Sequence, residues 1–153
     1  MFNAEKRRVL LADDNEATRS LIIAILQRDF DVDPALNGLD AIEKLRTNRY
    51  AVILLDLRMP EHDGFSVLDF IKENHPELLS CVLIVTASLT PKDMNRARTY
   101  GVSAIITKPF DVETFYEAVK RCADRGESGM PINMIASTPV ILFLADVLKN
   151  KIG

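Results

Sequence analysis

A chain of 153 residues with 19 basic and 22 acidic side chains, a formal net charge of −3 and 48% hydrophobic residues has the size and composition of one soluble globular domain. The charge balance offers no basic footprint for nucleic acid, and 27% charged residues beside this much apolar content exclude a disordered chain. The longest apolar runs, such as Val140 to Ala145, reach only six residues, far short of the ~20 that cross a bilayer. Met1 to Arg8 is not followed by the long apolar stretch and small-residue cleavage site of a secretory signal, so the cytoplasm is the expected location.

In chain order, short apolar runs alternate with amphipathic stretches. A strand is expected over Val9 to Ala12, then a helix whose stripe is Leu21, Ile22, Ile25 and Leu26. A weaker, more polar strand follows around Phe30 to Val32, and after Gly38 a shorter helix over Leu39 to Arg46. The next pair is a strand at Ala51 to Leu55 and a helix carrying Phe65, Leu68 and Ile71. The fourth strand covers Cys81 to Val85, and the helix after it, Pro91 to Thr99, has Thr90 as N-cap and Pro91 at its first position. Gly101 punctuates a loop, Ala104 to Ile106 form the fifth strand, and Val112, Phe115, Tyr116, Val119, Cys122 and Ala123 line the fifth helix.

The strands are continuously apolar, as in a parallel sheet covered on both faces. Five strand and helix pairs with right-handed crossovers describe a doubly wound α/β sandwich over residues 5–125. Cys81 and Cys122, each inside an apolar periodic segment, read as reduced core thiols and not as a disulfide. Gly126, Gly129 and Pro131 break the alternation, and residues 126–153 read as a linker and an apolar C-terminal helix starting near Thr138 and Pro139. Val140, Ile141, Leu144, Val147 and Leu148 fall on one face of that helix and Leu142 and Phe143 on another. This is more apolar surface than one core contact needs, which leaves packing on the domain, homodimerisation or the start of a truncated following region as its uses.

In an open parallel sheet ligands bind beyond the carboxyl ends of the strands. There the first strand delivers Asp13 and Asp14, the third Asp56, the fourth Thr86 and the fifth Lys108. Any one of these alone is most simply a cap or a solvated charge; together they are a constellation. Three carboxylates held close repel one another and suit a hard divalent cation, Mg²⁺ above all, which accepts one or two protein carboxylates and keeps an open side for phosphate. A lysine and a hydroxyl beside them suit the oxygens of a transferring phosphoryl group. The chemistry that uses this set is phosphoryl transfer with a carboxylate nucleophile.

Val9-Leu-Leu-Ala-Asp13-Asp14, Leu54-Leu-Asp56-Leu-Arg-Met59-Pro60 with Gly64, Ile84-Val-Thr86-Ala87 and Thr107-Lys108-Pro109-Phe110 together resemble the receiver domain of bacterial two-component response regulators. The separations of 42 residues from Asp14 to Asp56, 30 to Thr86 and 22 to Lys108 are similar to that family's layout. The resemblance implies a flavodoxin-like sheet of order 2-1-3-4-5, a fold type that serves as a worked example of the switch-point rule. It implies that Asp56 is the phosphoacceptor, that Asp14 and the backbone carbonyl of Arg58 ligate Mg²⁺ directly, and that Asp13 acts mostly through a bound water. Thr86 would bond a phosphoryl oxygen and draw its loop inward, Lys108 would neutralise charge, Ala87 would leave access, and the Lys108-Pro109 bond would be cis. The implied partners are a histidine kinase or phosphotransfer protein and a downstream protein effector.

Two positions depart from the family. The switch aromatic three residues before the lysine is replaced by Ile105, which puts coupling from Thr86 on another footing. Arg58 and Ser88 flank the path of the hydrolytic water, and neither is an acid or amide that orients it, so slow self-dephosphorylation is expected. His62, His75, Arg96, Arg98, Lys44 and Arg46 read as solvated surface groups. Only 28 residues follow Arg125, too few for a DNA-binding domain, and no direct nucleic-acid binding is expected. The competing readings are a degenerate receiver acting as a constitutive interaction module, and an aspartyl-phosphate phosphatase or phosphotransferase. The latter places a second aspartate where this chain has Arg58.

Overall fold

The structure is a computed structural model and describes residues 5–128 and 141–143, with side chains through residue 125. The chain builds β1 (Arg7–Ala12), α1 (Glu16–Leu26), β2 (Phe30–Ala35), α2 (Gly38–Thr47), β3 (Val52–Leu55) and α3 (Gly64–Asn74). A 3-10 turn (Pro76–Cys81) leads into β4 (Val82–Thr86), α4 (Pro91–Tyr100), β5 (Ala104–Thr107), α5 (Val112–Ser128) and a short β6 (Ile141–Phe143). The first five strands are parallel in the order β2-β1-β3-β4-β5, the doubly wound arrangement expected.

Side chains alternate between the faces of a strand, so each apolar run supplies two cores. Leu10, Ile53, Leu55, Ile84 and Ile105 pack on the side covered by α2, α3 and α4. Val9, Leu11, Leu54, Leu83, Val85 and Ile106 pack on the other side with Ile22 and Leu26 of α1 and Phe115 and Val119 of α5. Both faces being dry is the reason the runs do not alternate with polar residues.

The helix starts follow from their caps. Asn15, Asn37 and Asp63 each accept a backbone N–H of the first turn of α1, α2 and α3. Thr90 caps α4 with Pro91 in the first turn, as the sequence indicates, and Gly101 ends that helix at φ 74°, a left-handed position that glycine adopts without a Cβ clash.

Most boundaries shift by one or two residues, and three differences have a physical reason. Strand β2 runs on through Asp33 and Pro34 to Ala35 because it is an edge strand, where a missing N–H and polar side chains are tolerated. Cys81 closes the 3-10 turn and does not open β4; it is a free thiol, as is the buried Cys122. Residues 141–143, expected in the C-terminal helix, instead pair antiparallel with β5, Ile106 facing Ile141 and Ala104 facing Phe143. A short apolar run cannot be told from a helix segment by periodicity, and β5 without a neighbour would leave a row of backbone groups unpaired. The rest of that expected helix, from Thr138 and Pro139 through Val147 and Leu148, lies outside the described residues.

Candidate functional site

The carboxyl ends of β1, β3, β4 and β5 converge, and the main-chain ladder continues past them to hold the residues that follow. Asp13 N–H donates to the Ala35 carbonyl (3.2 Å), Asp56 N–H to the Ala12 carbonyl (3.0 Å) and Lys108 N–H to the Thr86 carbonyl (2.9 Å). Asp13 and Asp56 are buried at 1% and 7% exposure, Thr86 is fully buried, and Asp14 is open to solvent. Helix α3 starts directly beneath: a β-carbon at Gly64 would meet the Asp56 carbonyl oxygen at 2.5 Å and Leu57 Cα at 2.8 Å, so only glycine permits this approach.

Lys108 Nζ lies 2.7 Å from Asp13 Oδ2 and 3.3 Å from Asp56 Oδ2. The Arg58 N–H donates to Asp56 Oδ1 (3.1 Å), and the Asn15 N–H to Asp13 Oδ1 (2.8 Å). Burial pushes the Asp56 carboxyl above its usual range, helped by the Asp13 charge; the Arg58 N–H, Lys108 and the Thr86 hydroxyl only partly offset this. Burial would lower the Lys108 ammonium, but its bonds and charge interactions with Asp13 and Asp56 raise it, so it remains a fixed cation. Asp13, Asp14 and Asp56 each present a carboxylate oxygen within 4.8 Å of the other two. Three hard oxygen donors of this kind on a partly open edge fit a divalent cation such as Mg²⁺.

All five residues singled out at the strand ends are therefore brought together. Thr86 Oγ1 donates to the Ser88 carbonyl across 3.3 Å, which ties it to its own loop. Ala87 lies exposed on a groove of ≈ 340 Å³ shared with Thr18, Leu21, Lys108, Pro109 and Phe110, and the Lys108-Pro109 bond is cis. Ile105 is fully buried on the α2-α3-α4 side of the sheet. His62 is exposed and adopts φ 69° in the loop after Asp56.

Some contacts were not foreseen. The Arg58 guanidinium pairs with Asp93, at the third helical position of α4. The sequence signal for Asp93 is the capping pattern Thr90-x-x-Asp93, one step beyond the Thr90 and Pro91 helix start. The Arg19 guanidinium donates to the Asp13 carbonyl (2.8 Å). Lys44, read as solvated, bonds Asp33 (3.0 Å), and Arg96 lies 4.1 Å from the centre of the Phe65 ring.

Residues 9–120 match the response regulator receiver domain, and the chain belongs to that family. It is 30% identical over 115 residues to the polar-differentiation response regulator DivK of Brucella anthropi, covering 74% of this chain and 94% of that protein. It is 31% identical over 114 residues to the chemotaxis protein CheY of Halobacterium salinarum, covering 74% and 93%. Other relatives are longer, and the chain spans as little as 15% of one of them. Among solved structures, a signal receiver domain from Vibrio parahaemolyticus superposes with a TM-score of 0.75 at 25% identity, covering 82% of this chain and 95% of that one.

Proposed function

We propose that this receiver domain is a phosphorylation-controlled switch that accepts a phosphoryl group on Asp56 from a histidine kinase or phosphotransfer protein and signals through protein contacts. The observation that carries the reading is the meeting of Asp13, Asp14, Asp56 and Lys108 at one sheet edge, with the three carboxylate oxygens within 4.8 Å of one another. Mg²⁺, held by the carboxylates of Asp14 and Asp56, the Arg58 carbonyl and, through water, Asp13, would neutralise charge on the phosphoryl oxygens.

The chain's own residues do the rest. An Asp56 carboxylate oxygen attacks phosphorus, an acyl phosphate bond forms, and the bond from phosphorus to the donor nitrogen breaks, its electron pair staying with the donor. The Arg58 N–H orients Asp56 through Oδ1. Lys108, already between Asp13 and Asp56, meets the oxygens that gain charge, where a preplaced cation in a partly dry site acts strongly. The exposed Ala87 keeps the entrance open, and Thr86, once phosphoryl oxygen offers a stronger acceptor, gives up the Ser88 carbonyl. Arg58 and Ser88 supply no base for water, so the acyl phosphate is long-lived.

Intact mass after incubation with Mg²⁺ and a small-molecule phosphodonor tests this. Wild type gains one phosphoryl group and Asp56→Asn gains none; equal gain by both would remove Asp56 from the role, and a phosphoprotein half-life of seconds would contradict the account of Arg58 and Ser88.

A further inference from the structure

Residue 58 is attached at both ends. Its backbone N–H donates to Asp56 Oδ1 at 3.1 Å, while its guanidinium leaves the site and pairs with Asp93 Oδ2. That oxygen also accepts the Thr90 N–H (3.3 Å), and Thr90 Oγ1 accepts the Asp93 N–H (3.0 Å), so the ion pair is built onto the reciprocal cap of α4. The Asp93 side chain is 11% exposed and the Arg58 side chain 50%, which places the anion in the more protected position. Burial would raise the Asp93 carboxyl, but Thr90 and Arg58 outweigh it and hold it below the usual carboxylate range.

We infer that the Arg58–Asp93 pair is a clasp that holds the first turn of α4 to the acceptor loop, and that phosphoryl uptake at Asp56 releases it. This rests on Asp56 being the acceptor. Uptake sets a new anion beside residue 58, whose N–H is already bonded to the acceptor carboxylate, and phosphate oxygens are stronger guanidinium partners than a carboxylate already shared with a cap. Arg58 thus acts as a positioning residue, connecting Asp56 to α4 without passing through the fully buried aliphatic Ile105.

Amide hydrogen exchange over residues 91–97 of the full chain, with and without the phosphodonor, decides the matter while intact mass reports uptake in the same samples. Wild type should exchange about three- to tenfold faster when phosphorylated, the scale of one partly screened charge-assisted bond. Asp93→Asn, which keeps an oxygen for the Thr90 N–H, should exchange fast from the start, show little further change, and still gain the phosphoryl mass. Arg58→Met, which adds no group that could orient water, should repeat the loss should Asp93→Asn fold poorly, and Arg58→Lys should restore part of the response. A wild-type segment whose exchange ignores full phosphorylation, or an Asp93→Asn protein that responds like wild type, overturns the clasp alone. No mass gain on wild type overturns the acceptor reading and the release with it.

Discussion

Two carboxylates of the same sheet, the half-buried Asp33 in β2 and the buried Asp56 after β3, have opposite surroundings. Asp33 accepts from the Tyr50 hydroxyl (2.6 Å), Lys44 (3.0 Å) and Arg8 (3.2 Å), and these donors overcome the burial that would raise it and hold it below its usual range. Asp56 shares one lysine with Asp13, has Asp14 beside it, and is pushed up by its burial. A carboxylate with more donors than it needs is a structural part, and one with fewer is poised to take a cation or a phosphoryl group.

Lys108→Met would sharpen this contrast most. It leaves Asp13 and Asp56 buried without a cation, and the metal-free protein should lose about 3 kcal/mol, the scale of breaking one side of a buried pair. Thermal melts with and without millimolar Mg²⁺ should return part of that loss, and no return would separate the acidic cluster from cation binding. Tyr50→Phe should cost less, about 1–2 kcal/mol, because Asp33 keeps two cations when one donor goes; a loss as large as that of Lys108→Met would dissolve the comparison.

The subtlest test is the pH dependence of stability. The folded value of Asp33 is lowered from 3.8, so its contribution is present above that pH and is lost as the pH falls through the folded value. The folded value of Asp56 is raised from 3.8, so its penalty is absent below that pH and grows as the pH rises toward the folded value. Relative to wild type, Asp33→Asn should therefore lose and Asp56→Asn gain stability as the pH is raised through the acid range, measured by urea melts in metal-free buffer. Slopes of the same sign would refute the electrostatic account.

The strand cores and the strand-end residues were legible because burial on both faces leaves continuous apolar runs, and the polar residue that ends each run then stands out. Asp13, Asp56 and Thr86 are of this kind, and Lys108 stands one residue beyond Thr107, which ends the fifth run. Pro34 hid the end of β2, since a proline reads as a stop except on an edge. Lys44 looked solvated because nothing local to α2 announces Asp33, eleven residues earlier on another element. The Arg58–Asp93 pair joins residues 35 apart through long side chains, and no period or spacing encodes such a contact. The strand at 141–143 depends on an available edge of β5, a property of the assembled sheet.

The two flanks of that sheet also bear on how the protein behaves in a crowd. On one flank β2 carries Asp31, Asp33 and Pro34; on the other β5 is already paired over Ala104 to Ile106. Among the described residues the second rim passes to β6, only three residues long, so charge and proline on one side and a short strand on the other leave a second molecule no long, flat edge of the kind on which aggregates grow. Flanks that are charged or short limit the growth of a sheet by edge-to-edge addition when molecules are concentrated.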